Sequence, residues 1–477
     1  MSPRTVVVVG ASEIGCRFAL AANAAGHRVI LIDEHPQALK GMSIDAPYFY
    51  GAGLPAALNN ANAIAQTYLE ANPELMECLD SGIDVRLSTI LWGAFRNSEN
   101  AIHIGTPKVG LVSRDGNELV DHDILVIASG VRDFVPSFQG WELPGVFGAK
   151  AGLALLDSYG VFEGERVLIL GTSDIAVRLM RSLSARQITI AGVVEPGETI
   201  AAGSEAAAWI ESEGIPVHFG KVIASAKGKV AVECARLIAL DGAGSEEIAC
   251  DSIAVAVATL PNIELPAAMG CRMRFSESLA SWVPEVSVQG ETNLDGVFYL
   301  ASSADESMVD AMLSRISGEA RDERQASPSP NADASAYIRK WIEILHRTGG
   351  ADVIMCQCES VTRREFCHLE PPKYLGQAMR GPQVPTSHTD NPEAPHLNQD
   401  LVKRMTRVGM GHCQGKRCRD EAAFTLMQRF GIGAEDIRPG SYRFPLRPLD
   451  LPLIADDDET DDIRLNWQMW PYETRNA

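Results

Sequence analysis

Two stretches of this chain repeat one layout, and the repeat limits the possible folds more than any other feature. Residues 5–9 are a threonine and four valines, a continuous apolar run of the kind buried on both faces of a parallel sheet, and Gly10 to Gly15 follows directly. A helical stretch, Cys16 to Ala25, leads past Gly26 to a second apolar strand, Arg28 to Asp33, closed by Glu34. Strand, glycine turn, helix, strand, acid is the order of a dinucleotide-binding unit, which sets a pyrophosphate on the helix N-terminus and a ribose hydroxyl on the acid. Glu165 to Leu170, the turn Gly171 to Ala176, a helix to Leu183 and a strand Ile188 to Val194 ending at Glu195 lay out the same parts again. The fold class expected is α/β, with one nucleotide-binding fold nested inside another.

Both turns depart from the pattern in the same way. Ser12 and Ser173 stand where the second glycine belongs, and that glycine lets the backbone approach the pyrophosphate. Candidate nucleotide contacts are Gly10, Ser12, Gly15 and Glu34 in the first unit and Gly171, Ser173 and Glu195 in the second; the competing account of each is a βαβ unit kept as scaffold. Between them, Leu58 to Leu79 reads as helix broken at Pro73, Asp84 to Trp92 as strand, and Gly105 to Leu119 as an antiparallel excursion turning at Asp115-Gly116. Asp123 to Ala128 is another buried strand, ending at Ser129 and Gly130. A second Asp-Gly hairpin, Asp241-Gly242, precedes the strand Asp251 to Val257 and an exit at Pro261-Asn262, and Gly296 to Ser302 returns the chain to the first domain.

The second constraint is four cysteines late in the chain. Cys356 and Cys358 are one residue apart, Cys413 and Cys418 four apart, so that two short turns bring four sulfurs to one tetrahedral thiolate site or one iron–sulfur cluster. Iron–sulfur is the assignment taken here, with structural zinc as the alternative. A redox disulfide of the flavin disulfide reductase kind would instead follow the first nucleotide-binding strand. Cys16, Cys78, Cys234, Cys250, Cys271 and Cys367 are scattered and read as small buried apolar residues. Thr362 to Glu365 is a capping box that starts a helix after the first pair, and Cys418 opens an apolar-faced stretch, Glu421 to Phe430, ended by Gly431; a thiolate at a helix N-terminus is electrostatically favoured. Lys403, Arg404, Arg407, Lys416, Arg417 and Arg419 bracket the second pair, with Asp420 and Glu421 as the close acids: a solvated face, or charge that offsets a thiolate-ligated cluster.

Length and charge bound the rest. The 477 residues imply about three domains. A net charge of −20 excludes nucleic acid and anionic membrane surfaces as general partners. The first residues run straight into a strand with no signal peptide, and no apolar run approaches the ~20 residues that span a bilayer, so a cytoplasmic location is expected, with any membrane association peripheral and through a complex. No nucleophile–base set, paired acid/base carboxylates or His-Glu-x-x-His motif occurs, and no catalytic residue is assigned.

Particular segments resemble a known family. Ile127 to Gly130 resembles the Ala-Thr-Gly turn of flavoproteins with two dinucleotide domains, and Gly140 to Val146 resembles the segment after it in the large subunits of bacterial opine oxidases, hydrogen cyanide synthase and D-hydroxyproline dehydrogenase. Val353 to Glu359, Lys403 to Cys418 and Tyr442 to Pro448 together look like the C-terminal module of those subunits, which is similar to bacterioferritin-associated ferredoxin. Ala301-Ser302 stands where such flavoproteins carry Gly-Asp, so Ser302 replaces the aspartate on the flavin ribityl chain. The resemblance covers about residues 1 to 450. It implies a two-dinucleotide-binding-domain flavoprotein with a small, mainly helical [2Fe–2S] domain: residues 1–148 with 263–318 as the FAD or nucleotide domain, 149–262 an inserted NAD-type domain, 319–335 a linker, 336–450 the cluster domain. Residues 371 to 400 look like an insertion between the ligand pairs, and 451–477 are an acidic tail with Trp467, Trp470 and Tyr472, either exposed or a partner-docking strand. The second domain binds NAD in some relatives and is vestigial in others, and vestigial is favoured here.

The implied cofactors are a [2Fe–2S] cluster on Cys356, Cys358, Cys413 and Cys418, FAD or ADP/ATP in the degenerate first site, and room for FMN at a subunit interface. The implied function is electron transfer in a heteromeric amino-acid, imino-acid or opine dehydrogenase. A smaller FAD-containing partner of the amino-acid-oxidase type would oxidise the C–N bond, a small ferredoxin-like third subunit is compatible with the arrangement, and a quinone would accept the electrons. The alternatives are a stand-alone NAD(P)H-dependent flavoprotein reductase and a nucleotide-stabilised scaffold with structural zinc.

Overall fold

The computed structural model describes residues 3–36, 61–97, 105–325, 334–376 and 397–449. The acidic tail and most of the expected insertion lie outside the described residues.

The all-valine strand sits where its composition demands. Thr5–Val9 is flanked in parallel by Arg28–Ile32 and Ile124–Ile127, with Asp84–Arg86 and Val297–Tyr299 at the edges of a five-stranded sheet. Val6, Val7 and Val8 are fully buried because helices cover one face and an antiparallel sheet the other. The helix Glu13–Ala24 buries Phe18, Ala19 and Ala22 on this sheet, and Glu306–Ile316 buries Val309, Met312 and Ile316 beside it.

The second sheet repeats the first. Arg166–Leu170 lies between Thr189–Glu195 and Ser252–Val255, with Val217–Phe219 at one edge, all parallel. The fifth strand differs in origin: the first sheet takes Val297–Tyr299 from downstream, the second Val146–Gly148 from upstream. Those three residues therefore belong to the inserted sheet, and the expected boundary at 148/149 moves toward the N-terminus; the short all-buried strand carries no sequence mark of which sheet it joins. Each sheet also has a three-stranded antiparallel companion, inserted before Ile124–Ile127 in the first and before Ser252–Val255 in the second: Ile90–Phe95, Lys108–Ser113 and Gly116–Asp121 in one, Lys221–Lys227, Cys234–Ala239 and Ser245–Ala249 in the other.

Local expectations held with small shifts. The 58–79 helix is two, Ala61–Glu70 and Pro73–Asp80, with Pro73 in the first turn where its missing N–H costs nothing. The 84–92 strand is interrupted at Ser88, whose φ of 51° turns the chain. Ser113 pairs with Gly116, so the tight turn is Arg114-Asp115, one position earlier than expected. The linker is tied down at its start: Asp322 N donates to Gln289 Oε1 at 2.8 Å and Val288 N to the Arg324 carbonyl at 2.9 Å.

The C-terminal module is mainly helical, with Ala334–Thr348, Arg363–Cys367, Gln399–Thr406 and Arg419–Phe430 around a two-stranded piece, Ile354–Cys356 with Val361–Thr362. It does not stand apart. Ile338, Trp341, Ile342 and Leu345 form a stripe at helical spacing that packs into one core with Leu168, Val222 and Leu237 of the insert. The stripe is shared between the two bodies, packing on Arg419–Phe430 of its own module as well as on Lys221–Lys227 of the insert, with about 1.5–3 kcal/mol for each fully buried large side chain divided between them.

Candidate functional site

The four late cysteines are brought together. Cys358 Sγ lies 3.5 Å from Cys413 Sγ and 3.9 Å from Cys356 Sγ, which is 3.7 Å from Cys418 Sγ. Two sulfurs on one tetrahedral metal at about 2.3 Å stand roughly 3.8 Å apart. Among the described residues no group of three or more His, Cys, Asp or Glu is disposed as the ligand set of a single metal ion. Cys356, Cys413 and Cys418 are at most 2% exposed. As free thiols Cys356 and Cys413 resist ionisation. Cys356 is pushed up to about 12: its contact with Cys358 pulls it down, and the contact with Cys418 and burial push it up further. Cys413 is pushed up by its contact with Cys358 and then by burial. Backbone amides of Gly409, Cys413, Gly415 and Arg417 work the other way, each aimed at a sulfur. Gly411 is required here by space: a Cβ on it would sit 2.5 Å from Cys358 Sγ.

Several features fix these turns. The capping box is present, Thr362 accepting from Glu365 N while Glu365 accepts from Thr362 N. Cys418 is the N-cap of Arg419–Phe430, and Gly431 closes that helix in the left-handed conformation. Trp141, from the segment of family resemblance, donates its indole N–H to the Ile354 carbonyl at 2.6 Å and so holds the Cys356 strand. Buried Arg363 ties the Leu345 and Ser137 carbonyls together, at 3.0 and 2.8 Å. The basic cluster is not a uniform face: Arg407 pairs with Glu359 at 2.6 Å, Arg417 donates to Gln357 at 2.6 Å, and Arg419 stacks 3.9 Å above the Tyr442 ring. Asp420 and Glu421 turn away from it into the domain seam, Asp420 to Arg132 at 2.6 Å and Glu421 to the Ser137 amide and hydroxyl at 3.0 and 2.6 Å.

Gly10, Ser12, Glu34, Ser129, Gly130 and Ser302 line one cavity of about 380 Å³. The glycines serve the turn's own packing: a Cβ on Gly10, at φ +111°, would meet the Ala128 carbonyl at 2.2 Å, and one on Gly15 would meet the Gly10 carbonyl at 2.2 Å. Ser12 caps its helix through a long 3.4 Å contact from Gly15 N. Asp33 takes the Ala11 N–H at 2.6 Å and the His35 N–H at 2.8 Å. Ser129 is clasped by Asn262, its hydroxyl donating to the Asn262 carbonyl at 2.9 Å and the Asn262 amide donating back at 2.7 Å. Glu34, at the ribose position, forms an ion pair with Arg447 at 2.5 Å. Sequence reasoning found the turn but not Arg447, which is 413 residues away and carries no local signature. It also missed His35, Tyr68 and Tyr159, where Tyr68 stacks on both other rings and His35 Nδ1 meets Tyr159 Oη at 2.8 Å. A buried charge network, Arg132 with Glu264 at 3.3 Å and Asp420, and Arg419 with Glu264 at 3.5 Å, runs from this cavity toward Cys418. Burial opposes the Glu264 charge, but Arg132, Arg419 and Lys416 outweigh it and hold Glu264 down to about 2.

The second unit has the same turn with a different outcome. A Cβ on Gly171, at φ +98°, would meet the Ala256 carbonyl at 2.8 Å. The Ser173 hydroxyl donates to Ala256 at 2.6 Å instead of capping its helix. Glu195 is 1% exposed and already satisfied by the chain itself, accepting from Thr172 Oγ1 at 2.7 Å, Tyr337 Oη at 2.6 Å and Gly197 N at 2.8 Å. Tyr337 belongs to the first helix of the cysteine module and also accepts from Thr172 N at 3.1 Å. Where a ribose would meet the acid, a tyrosine does.

The arrangement has relatives along its whole length. The chain is 24% identical to the hydrogen cyanide synthase subunit HcnB of Pseudomonas protegens, covering 95% of this chain and 98% of that protein, and 21% identical to an opine oxidase subunit of Agrobacterium tumefaciens, covering 94% and 91%. These are the proteins to which its segments bear resemblance. The solved structure of L-proline dehydrogenase from P. horikoshii shares the fold with a TM-score of 0.61 at 19% identity, over 95% of this chain and 79% of that one. Among the described residues no helix is long and apolar enough to cross a membrane. Residues 55–314, more than half of the chain, match the pyridine nucleotide-disulphide oxidoreductase family, and the chain belongs to that family.

Proposed function

We propose that this chain is the electron-transferring subunit of a heteromeric amino-acid, imino-acid or opine dehydrogenase, with Cys356, Cys358, Cys413 and Cys418 holding a [2Fe–2S] cluster. The observation that carries this is the convergence of four sulfurs through contacts of 3.5–3.9 Å. A two-iron cluster needs two sulfurs on each iron, and four thiols linked by contacts of this length, two from each turn, suit that need. Amide N–H groups on the sulfurs and Lys416 and Arg417 in the same turn suit a thiolate-ligated, negatively charged group. When bound, the cluster supplies one-electron carriage. The chain's part is to exclude water through Met355, Val361, Phe366 and Val408, and to hold the two turns in register through Trp141 and Arg363.

Substrate oxidation belongs to a smaller partner flavoprotein, as expected of a chain similar to subunits of hydrogen cyanide synthase and opine oxidase. The first site takes an adenosine-containing nucleotide, FAD or ADP/ATP, with Glu34 on the ribose. The competing NAD(P)H-reductase function requires Glu195 to accept a ribose, and Tyr337 and Thr172 hold that carboxylate instead. The test is anaerobic purification followed by iron and acid-labile sulfide analysis and electron paramagnetic resonance of the reduced protein. Two irons and two sulfides per chain, lost in Cys356→Ser with the N-terminal domains still folded, are expected; a colourless protein with one zinc would refute the proposal.

A further inference from the structure

We propose that the nucleotide of the first site is held by two modules at once, and that Arg447 and Lys416 of the cysteine module turn this cavity into an anion-binding site. The inference rests on an adenosine nucleotide occupying that cavity and is independent of what the cysteines bind. The charges lining the cavity carry it. Its carboxylates are Asp33, Glu34 and Glu264, and its fixed cations are Arg132, Lys150, Lys416 and Arg447. Two of the four cations, Lys416 and Arg447, arrive with the C-terminal module. Without them the first domain and insert present one carboxylate more than cations, and with them one cation more than carboxylates. The helix N-terminus that should attract the diphosphate opens on Glu13, and Ser12 already caps it, so the turn alone is a poor anion site.

The strap that delivers Arg447 is built onto the first domain. Leu446 N donates to the Trp92 carbonyl at 2.9 Å, Leu446 is 8% exposed in the core with Ile32 and Ala94, and the Phe444 ring lies 5.5 Å from that of Phe95. Gly93 leaves room for the Phe95 ring on which Phe444 packs, since a Cβ there would sit 2.8 Å from Phe95 Cζ. Lys416 lies between Cys413 and Cys418, so a phosphate that meets it touches the turn carrying two of the four sulfurs. Nucleotide binding and docking of the cysteine module are then linked reciprocally: whatever favours one favours the other by the same factor.

The experiment uses the nucleotide-depleted full chain and ADP as the probe, with calorimetric titration of wild type, Arg447→Ala, Lys416→Ala and Arg324→Ala, and hydrogen exchange at Leu446 with and without ADP. Arg324 is an exposed cation paired with Asp322 outside the cavity and controls for loss of surface charge. Each cavity variant should weaken ADP binding by about tenfold, with a shallower salt dependence, while Arg324→Ala leaves it unchanged and ADP slows exchange at the Leu446 amide. Arg447→Lys should recover part of the loss. Equal or tighter binding by both Arg447→Ala and Lys416→Ala would overturn the proposal and make Arg447 a plug on Glu34. Unaltered exchange at Leu446 in ADP-saturated protein would overturn the linkage. Wild-type chain that takes up no ADP would refute the nucleotide assignment itself, and the proposal with it.

Discussion

Replacing Gly411 by alanine isolates the packing of the sulfurs from everything else at the site. The added Cβ would lie 2.5 Å from Cys358 Sγ and 2.8 Å from Cys358 Cβ. That is about 1 Å inside the 3.5–4.0 Å optimum for heavy-atom contact. Gly411 is not among the residues at positive φ, so alanine meets no backbone penalty and the whole effect is the collision. Cys358 is in contact with both Cys356 and Cys413, and a shift of that size far exceeds the roughly 0.2 Å tolerance of a metal–ligand bond. Overpacking of this kind costs about 1–3 kcal/mol, so the chain should fold with a lowered melting temperature and hold less than half of the wild-type iron and sulfide. Gly350→Ala is the control: at φ +80° with open space around its Cβ, it should cost about 1 kcal/mol of strain and leave iron untouched. Wild-type iron and melting in Gly411→Ala would show that Cys358 does not rest against this glycine.

Tyr337→Phe removes a hydroxyl that Glu195 and Thr172 N share, so stability measured by urea denaturation should fall by about 1–3 kcal/mol, and an unchanged midpoint would contradict the plugged second site. Trp141→Phe leaves the Ile354 carbonyl without its donor at nearly constant packing; a cost of about 1–3 kcal/mol with faster iron loss under chelator is expected, and equal iron retention would count against Trp141 as a support of the cysteine strand. Glu264 is held at about 2 against an ordinary 4.5, so its contribution is complete above 4.5 and is lost as pH falls toward 2. That contribution is about 3 kcal/mol, and the stability gap between wild type and Glu264→Gln should close on acidification through that window; a gap independent of pH would refute the charge network.

What could be read from the sequence was whatever has a short period. Both glycine turns, the broken helix at Pro73, the Thr362–Glu365 capping box and the cysteine spacings all rest on residues within a few positions of one another, where local sterics and hydrogen bonds decide the outcome. Val146–Gly148 failed because three buried apolar residues pair equally well with either sheet, and only the tertiary register chooses. Tyr337 on Glu195 and Arg447 on Glu34 were invisible for a stronger reason. A tyrosine on an amphipathic helix and an arginine in a proline-rich segment look like ordinary surface residues until the fold brings them 142 and 413 positions back along the chain.

Those two contacts together explain why both nucleotide motifs decay in the same chain while the folds around them persist. In each unit the cysteine module supplies a side chain to the acid at the end of the second strand: Tyr337, neutral and buried, to Glu195, and Arg447, cationic and beside a cavity, to Glu34. A neutral hydroxyl that satisfies a fully buried carboxylate closes a site, because displacing it would leave the tyrosine oxygen and a backbone amide without partners. A cation at the rim of a cavity of about 380 Å³ leaves the site open and favours an anion inside it. The constraint on each glycine turn thereby passes from phosphate recognition to packing: Gly10, Gly15 and Gly171 remain because a Cβ would strike backbone, whereas positions 12 and 173, where no such collision forces a glycine, carry serine. The same module that carries the four sulfurs thus sets Tyr337 on Glu195 in the second unit and Arg447 on Glu34 in the first, and its 413–418 turn brings Lys416 to the wall of the first cavity.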